Sequence, residues 1–219
     1  MSAMENDQTP YKTIAAVAGI AAIAFFAGIL LAGFNRTTLE LPEVDGLLWP
    51  NPPTVQDFSL SDQHGGSFKR DNLLGRWSLV FFGFTQCPDV CPTTLQTLRE
   101  THSLLASDTN YADGGQVVFV SVDPDRDTAT LIKDYLAYFH QDFIGITGEA
   151  EKLKELTQPL GILFTKIASG DSYTMDHSAS ILLIDPEGRV LGLFSMPHDA
   201  QTIASAFKKI SQFYVQQNG

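Results

Sequence analysis

Trp77-Ser78-Leu79-Val80-Phe81-Phe82-Gly83-Phe84-Thr85-Gln86-Cys87-Pro88-Asp89-Val90-Cys91-Pro92 joins a largely apolar run to two cysteines four residues apart. Residues 78–84 lack a polar alternation, which predicts a strand buried on both faces. From Pro92 onward, residues 92–106 place Leu95, Leu98, Leu104 and Leu105 at near-helical spacing, with Pro92 suited to a first turn. Cys87 therefore stands near the carboxyl end of a strand and at the start of a helix. Ligands gather outside those strand ends in open α/β sheets. A lone cysteine is usually a small buried hydrophobe, but here the chain's only two cysteines share one turn. On a helix, residues four apart share a face with Cβ atoms about 5–6 Å apart, and a helix N-terminus lowers a thiol pKa. Such a pair can bind a soft metal ion or cycle between dithiol and disulfide.

Working outward, residues 117–122 read as the next core strand. Residues 128–139 read as a helix with Leu131, Ile132, Tyr135, Leu136 and Phe139 on its inner stripe and Asp127 or Thr128 as its cap. A short strand at 143–146 and a helix at 148–157 follow, the helix stopping before Pro159. Strands are expected at 162–167, 179–184 and 189–194, the last two meeting across Asp185-Pro186-Glu187-Gly188, with an amphipathic helix at 199–214. Short strands or turns fall at 58–60 and 67–68. Strands alternating with helices predict an α/β fold whose sheet is mainly parallel and covered on both faces, with an antiparallel hairpin making it mixed.

At the start, residues 13–34 carry no charge and are bounded by Lys12 and Arg36. At about 1.5 Å per residue this stretch matches the roughly 30 Å hydrocarbon core of a bilayer. A cleaved signal peptide is the competing reading, with Ala27-Gly28 or Ala32-Gly33 as cleavage sites. The run is longer than a usual signal core and its n-region is not distinctly basic, which favours a single-pass anchor. The flanking charges leave orientation open. A presequence rich in Arg and Ser is absent, which points to a bacterial inner membrane. The organisation expected is a tail at 1–12, a transmembrane helix at 13–34, a linker at 35–54 rich in proline, and one domain at 55–219.

The chain has 219 residues and a formal net charge of −11, which falls after the anchor because residues 1–36 are balanced. So acidic a surface excludes nucleic acid as a partner. It suits a basic protein partner or simple solubility.

Two thiolates complete neither a tetrahedral zinc site nor a four-cysteine cluster, so a third ligand is sought among His64, His102, His140, His177 and His198. Taken singly, each is more often a surface or capping residue. His177 stands out because it directly precedes the strand at 179–184, in a loop able to face the first turn of the cysteine helix. Cys87, Cys91 and His177 would form a three-coordinate site suited to Cu(I) and able to hold Cu(II). Zinc would need a fourth ligand from Asp176 or water.

With those residues in place, the chain resembles the Sco/SenC family of membrane-tethered copper chaperones, thioredoxin-like proteins serving cytochrome c oxidase assembly. The resemblance rests on residues 83–93 around the CxxxC segment, on the acidic loop Ser121-Val122-Asp123-Pro124-Asp125-Arg126-Asp127-Thr128, and on Asp176-His177-Ser178. It implies copper held by Cys87, Cys91 and His177 and delivered to the binuclear copper A centre of oxidase subunit II. It also implies a copper donor protein, a thiol reductant, a cytoplasmic N-terminus and a periplasmic domain.

Several residues carry two readings. Met196 and His198 fall outside the family pattern; they suggest either an accessory copper site or a loop before the helix cap Asp199. Met175 is expected as an exposed loop residue near a partner surface. Asp123 and Asp127 would form a charged rim, with Arg126 pairing to either acid, or else a turn and a helix cap. Asp89 could tune the thiols or simply suit the helix dipole. Against the metallochaperone stands a thiol–disulfide oxidoreductase using Cys87 and Cys91 as a redox-active pair. A peroxidase-like reading rests on Thr85 two residues before Cys87.

Overall fold

The computed structural model describes residues 9–34 and 42–218. The chain divides into residues 1–40 and residues 41–219.

In the first unit, Thr9–Phe34 is one helix of 26 residues, α1. Ile14, Val17, Ile20, Ile23, Phe25 and Phe26 are all exposed along it. Among the described residues no helix is long and apolar enough to cross a membrane. Side chains of α1 are described at 14 and 16–28 only, so the span expected at 13–34 lies partly outside the described residues.

The second unit is built on strands β1 (Leu47–Leu48), β2 (Ser59–Asp62), β3 (Ser67–Lys69), β4 (Ser78–Gly83), β5 (Gln116–Ser121), β6 (Ile144–Thr147), β7 (Phe164–Ser169), β8 (Ser172–His177), β9 (Ile181–Ile184) and β10 (Val190–Phe194). Its helices are α2 (Val90–Leu105), α3 (Thr109–Ala112), α4 (Ala129–Ala137), α5 (Ala150–Thr157) and α6 (Ala200–Asn218). Eight strands form one sheet in the order β1-β10-β9-β4-β5-β6-β2-β3, while β7 and β8 pair separately.

Only β4 with β5 and β5 with β6 run parallel; the other five neighbouring pairs are antiparallel. The expectation of a mainly parallel sheet is thus corrected, while the mixed α/β architecture stands. Parallel neighbours need a long crossover, and α2 and α4 supply the two. Short turns join β2 to β3, β7 to β8 and β9 to β10. Between β9 and β10, Asp185 Oδ1 accepts from the amides of Glu187 and Arg189, and Gly188 takes a φ of +77° that other residues resist.

Both β4 and β5 are buried along their whole length, which explains their unalternating apolar sequence. Leu95, Leu98 and Leu105 of α2 and Ile203, Phe207 and Ile210 of α6 join that core. Thr128 caps α4 by accepting from Leu131 N at 3.2 Å, and Asp199 caps α6 by accepting from Thr202 N at 2.8 Å.

Three features differ from the sequence expectation. Residues 47–48 pair with β10 and Trp49 N donates to Leu191 O at 3.1 Å, so the sheet begins inside the stretch expected as linker. The short α3, capped by Asp108, was not expected. Residues 172–177, expected as a loop, form strand β8.

Candidate functional site

The site grows from the carboxyl end of β4. The turn leaving that strand is held by Asp127, whose carboxyl oxygens accept from Thr85 N at 2.9 Å, Thr85 Oγ1 at 2.6 Å and Ser121 Oγ at 2.5 Å. Thr85 is thereby held in the turn by both its amide and its hydroxyl. Cys87 follows, half-buried and ahead of the helix, and Asp89 is the first cap residue of α2. The two cysteines are therefore not one helical face. Cys91, in the first turn of α2, is fully buried and its amide donates to Cys87 Sγ at 3.4 Å. Gly83 makes room for this packing, since a Cβ there would stand 2.8 Å from Cys91 Sγ and 2.9 Å from Phe119.

His177 ends β8, with Nε2 at 3.7 Å from Cys91 Sγ. Its Nδ1 is 3.2 Å from the Ser178 carbonyl; a carbonyl only accepts, so Nδ1 carries the proton and Nε2 keeps its lone pair toward the sulfurs. The Phe84 ring meets the imidazole edge-on at 5.8 Å. The Sγ atoms of Cys87 and Cys91 and a ring nitrogen of His177 all lie within 4.8 Å of one another, the one such cluster of His, Cys, Asp and Glu among the described residues. This donor set of two soft sulfurs and one imidazole fits copper. Asp176, the proposed zinc ligand, faces outward on β8 and is not among these donors.

The two thiols are made unequal. The hydrogen bond from the Cys91 side chain, with the amides of Cys91 and Asp89, outweighs burial and lowers the Cys87 pKa to about 4. The same hydrogen bond, with burial, pushes the Cys91 thiol up. At neutral pH the pair holds one proton, on Cys91. Because the Cys87 value is lowered, its thiolate persists down to near pH 4, whereas an ordinary cysteine loses reactivity about tenfold per pH unit below about 8.5. Alkylation of the reduced protein is accordingly expected to modify Cys87 at a nearly constant rate from pH 8 to 5 and to spare Cys91. Peptide mapping by mass spectrometry checks this, and faster labelling of Cys91 would contradict it.

The acidic loop is not a rim. Asp123 and Asp127 are 0% and 1% exposed, and neither caps a helix, that role belonging to Thr128. Asp123 pairs with Arg126 Nε at 2.5 Å and accepts from Tyr173 Oη at 2.8 Å. Met175, expected to be exposed, is buried in the core from β8. His198 has both ring nitrogens engaged, with Thr94 Oγ1 and with the Phe194 carbonyl, each at 3.2 Å. It is therefore a structural histidine beside the exposed Met196, and the accessory copper site is not formed. His102 and His140 meet edge-on with ring centroids 4.8 Å apart, and His102 Nδ1 is 2.9 Å from Tyr111 Oη. Sequence reasoning missed Tyr173 and the bracing role of Asp127. The period-two spacing of Tyr173, Met175 and His177 was the available signal for a strand carrying them.

A family model described as SCO1/SenC matches residues 49–212. A "Putative copper-binding protein" of Stutzerimonas stutzeri is 37% identical over 158 residues, covering 72% of this chain and 76% of that protein. The crystal structure of Arabidopsis thaliana ScoI with copper bound superposes with a TM-score of 0.68 at 31% identity, covering 73% of this chain and 99% of that one. BsSco, described as "a member of the Sco family of cytochrome c oxidase assembly proteins", shares the fold at a TM-score of 0.60 and 21% identity, covering 76% of this chain and 98% of its own. The mixed α/β domain is thus thioredoxin-like in the manner of Sco proteins.

Proposed function

Since the chain belongs to the SCO1/SenC family, we propose that it is a membrane-anchored copper metallochaperone that delivers copper to the binuclear copper A centre of cytochrome c oxidase subunit II. The observation that carries this reading is the convergence of Cys87, Cys91 and His177 donors within 4.8 Å. Cys87 offers a ready thiolate, Cys91 releases its proton as it becomes a ligand, and the Nε2 lone pair completes a three-coordinate copper site. A partner thiolate attacking beside half-buried Cys87 displaces these ligands one at a time, so the ion never needs to be free. The exposed apolar side chains of α1 support a transmembrane helix at 13–34, following a tail at 1–12 and leading through a linker to the domain. The topology is single-pass in a bacterial inner membrane, with the N-terminus cytoplasmic and the domain periplasmic, where a copper donor and a thiol reductant serve it.

The unequal thiols favour a second reading beside the first. The Cys87 thiolate attacks a partner disulfide, one partner sulfur leaves as thiolate, and Cys91 then loses its proton and displaces the other. Cys87–Cys91 forms as a disulfide, and the partner gains two electrons and becomes a dithiol. Mixing Cu(I)-loaded protein with the apo copper A domain of subunit II separates the two. The expected result is growth of the binuclear copper spectrum with matching loss of copper from this chain. Reduction of the partner's disulfide by the copper-free protein, without copper transfer, would replace the first reading with the second.

A further inference from the structure

The hairpin β7–β8 is a two-stranded sheet apart from the eight-stranded one, so no ladder to the main sheet locks His177 in place. Along β8, Tyr173, Met175 and His177 face inward while Ser172, Thr174 and Asp176 face solvent. A one-residue slip would present Asp176 to the sulfurs in place of His177. Met175 resists that slip only weakly, because a thioether side chain adapts its shape.

Tyr173 resists it strongly. Its hydroxyl donates to fully buried Asp123 at 2.8 Å, and its carbonyl accepts from Arg126 Nη1 at 2.9 Å. The Arg126 guanidinium lies 3.8 Å from the ring centroid, and the Lys166 ammonium, paired with Asp125, lies 4.7 Å from it. Arg126 is also 5.8 Å from the centre of Phe84, the ring that meets His177. The four residues from Tyr173 to His177 span about 13 Å of strand, so a pivot of roughly 5° at Tyr173 moves the imidazole by about 1 Å. A metal–ligand bond tolerates only about 0.2 Å.

We propose that Tyr173, clamped by Asp123 and Arg126, is a positioning residue that sets the reach of His177 toward Cys87 and Cys91 and thereby the share of nitrogen in copper binding. This rests on the copper-binding reading of the same site. Residues beyond the ligands that orient them carry about 10- to 100-fold in metal affinity, and the clamp falls in that class.

Tyr173→Phe removes one hydroxyl and keeps the stacked ring. In the full chain in detergent, Cu(I) affinity measured against a chromophoric chelator is expected to fall about 10- to 100-fold, and the nitrogen hyperfine structure of the Cu(II) spectrum to weaken. In a His177→Ala background the same substitution is expected to change affinity less than about twofold, because coupled residues lose their effect once the partner is gone. Equal losses in both backgrounds would overturn the proposal, as would unchanged affinity and hyperfine structure in Tyr173→Phe. An unaltered affinity in His177→Ala alone would overturn the ligand assignment together with the proposal. Should Tyr173→Phe not fold, Arg126→Lys, which keeps the charge and loses the forked contact, reads the same clamp with the same expected losses.

Discussion

His177→Ala is expected to lower copper affinity by more than about 100-fold, the upper end of what loss of a merely orienting residue costs. Two sulfurs alone leave Cu(I) two-coordinate, and Cu(II), which favours imidazole over thiolate, loses more. The substitution should leave the fold intact, because Nε2 faces the sulfurs and Nδ1 bonds only the carbonyl of the neighbouring Ser178. Thiol reactivity separates the effects: Cys87 keeps most of its lowered pKa, whose largest cause is the bond from the Cys91 side chain. Competition with a chelator and alkylation at pH 5 measure the two quantities on one sample. Affinity within threefold of the native protein would remove His177 from the ligand set.

Asp127→Ala is the second large effect, this time on stability. Three donors, Thr85 N, Thr85 Oγ1 and Ser121 Oγ, converge on its buried carboxyl group. Leaving a buried donor unpaired costs about 1–3 kcal/mol, so the expected loss is about 3 kcal/mol or more. At about 2–4 °C per kcal/mol for a domain of this size, the melting temperature should fall by roughly 6–12 °C. Thermal unfolding followed by circular dichroism tests this. A drop under about 2 °C would mean that solvent replaces the carboxyl at little cost.

The buried strands β4 and β5 and the helices α2, α4 and α6 were readable because unbroken apolar runs and 3.6-residue stripes report burial directly. Cys87 and Cys91 were readable because their shared turn is local in sequence. What sequence did not disclose is non-local. Asp127 meets Thr85 across 42 residues and Tyr173 meets Asp123 across 50, and acids in an Asp-Pro-Asp-Arg-Asp stretch look solvent-facing until those donors are known. The hairpin β7–β8 is short and mostly exposed, so its burial signal is thin and β8 read as loop. The edge strand β1 is only Leu47–Leu48, placed among prolines that read as linker. His177 was reached by its position before β9 and by the family resemblance, while the strand that carries it was not.

The central claim is that Cys87, Cys91 and His177 together hold one copper ion. X-ray absorption at the copper edge of the reduced, Cu(I)-loaded chain, beside its His177→Ala variant, tests it most directly. The account predicts one copper per chain with two sulfur neighbours and one imidazole nitrogen, and loss of the nitrogen in the variant. Three or more sulfurs per copper, or imidazole scattering that survives His177→Ala, would contradict it.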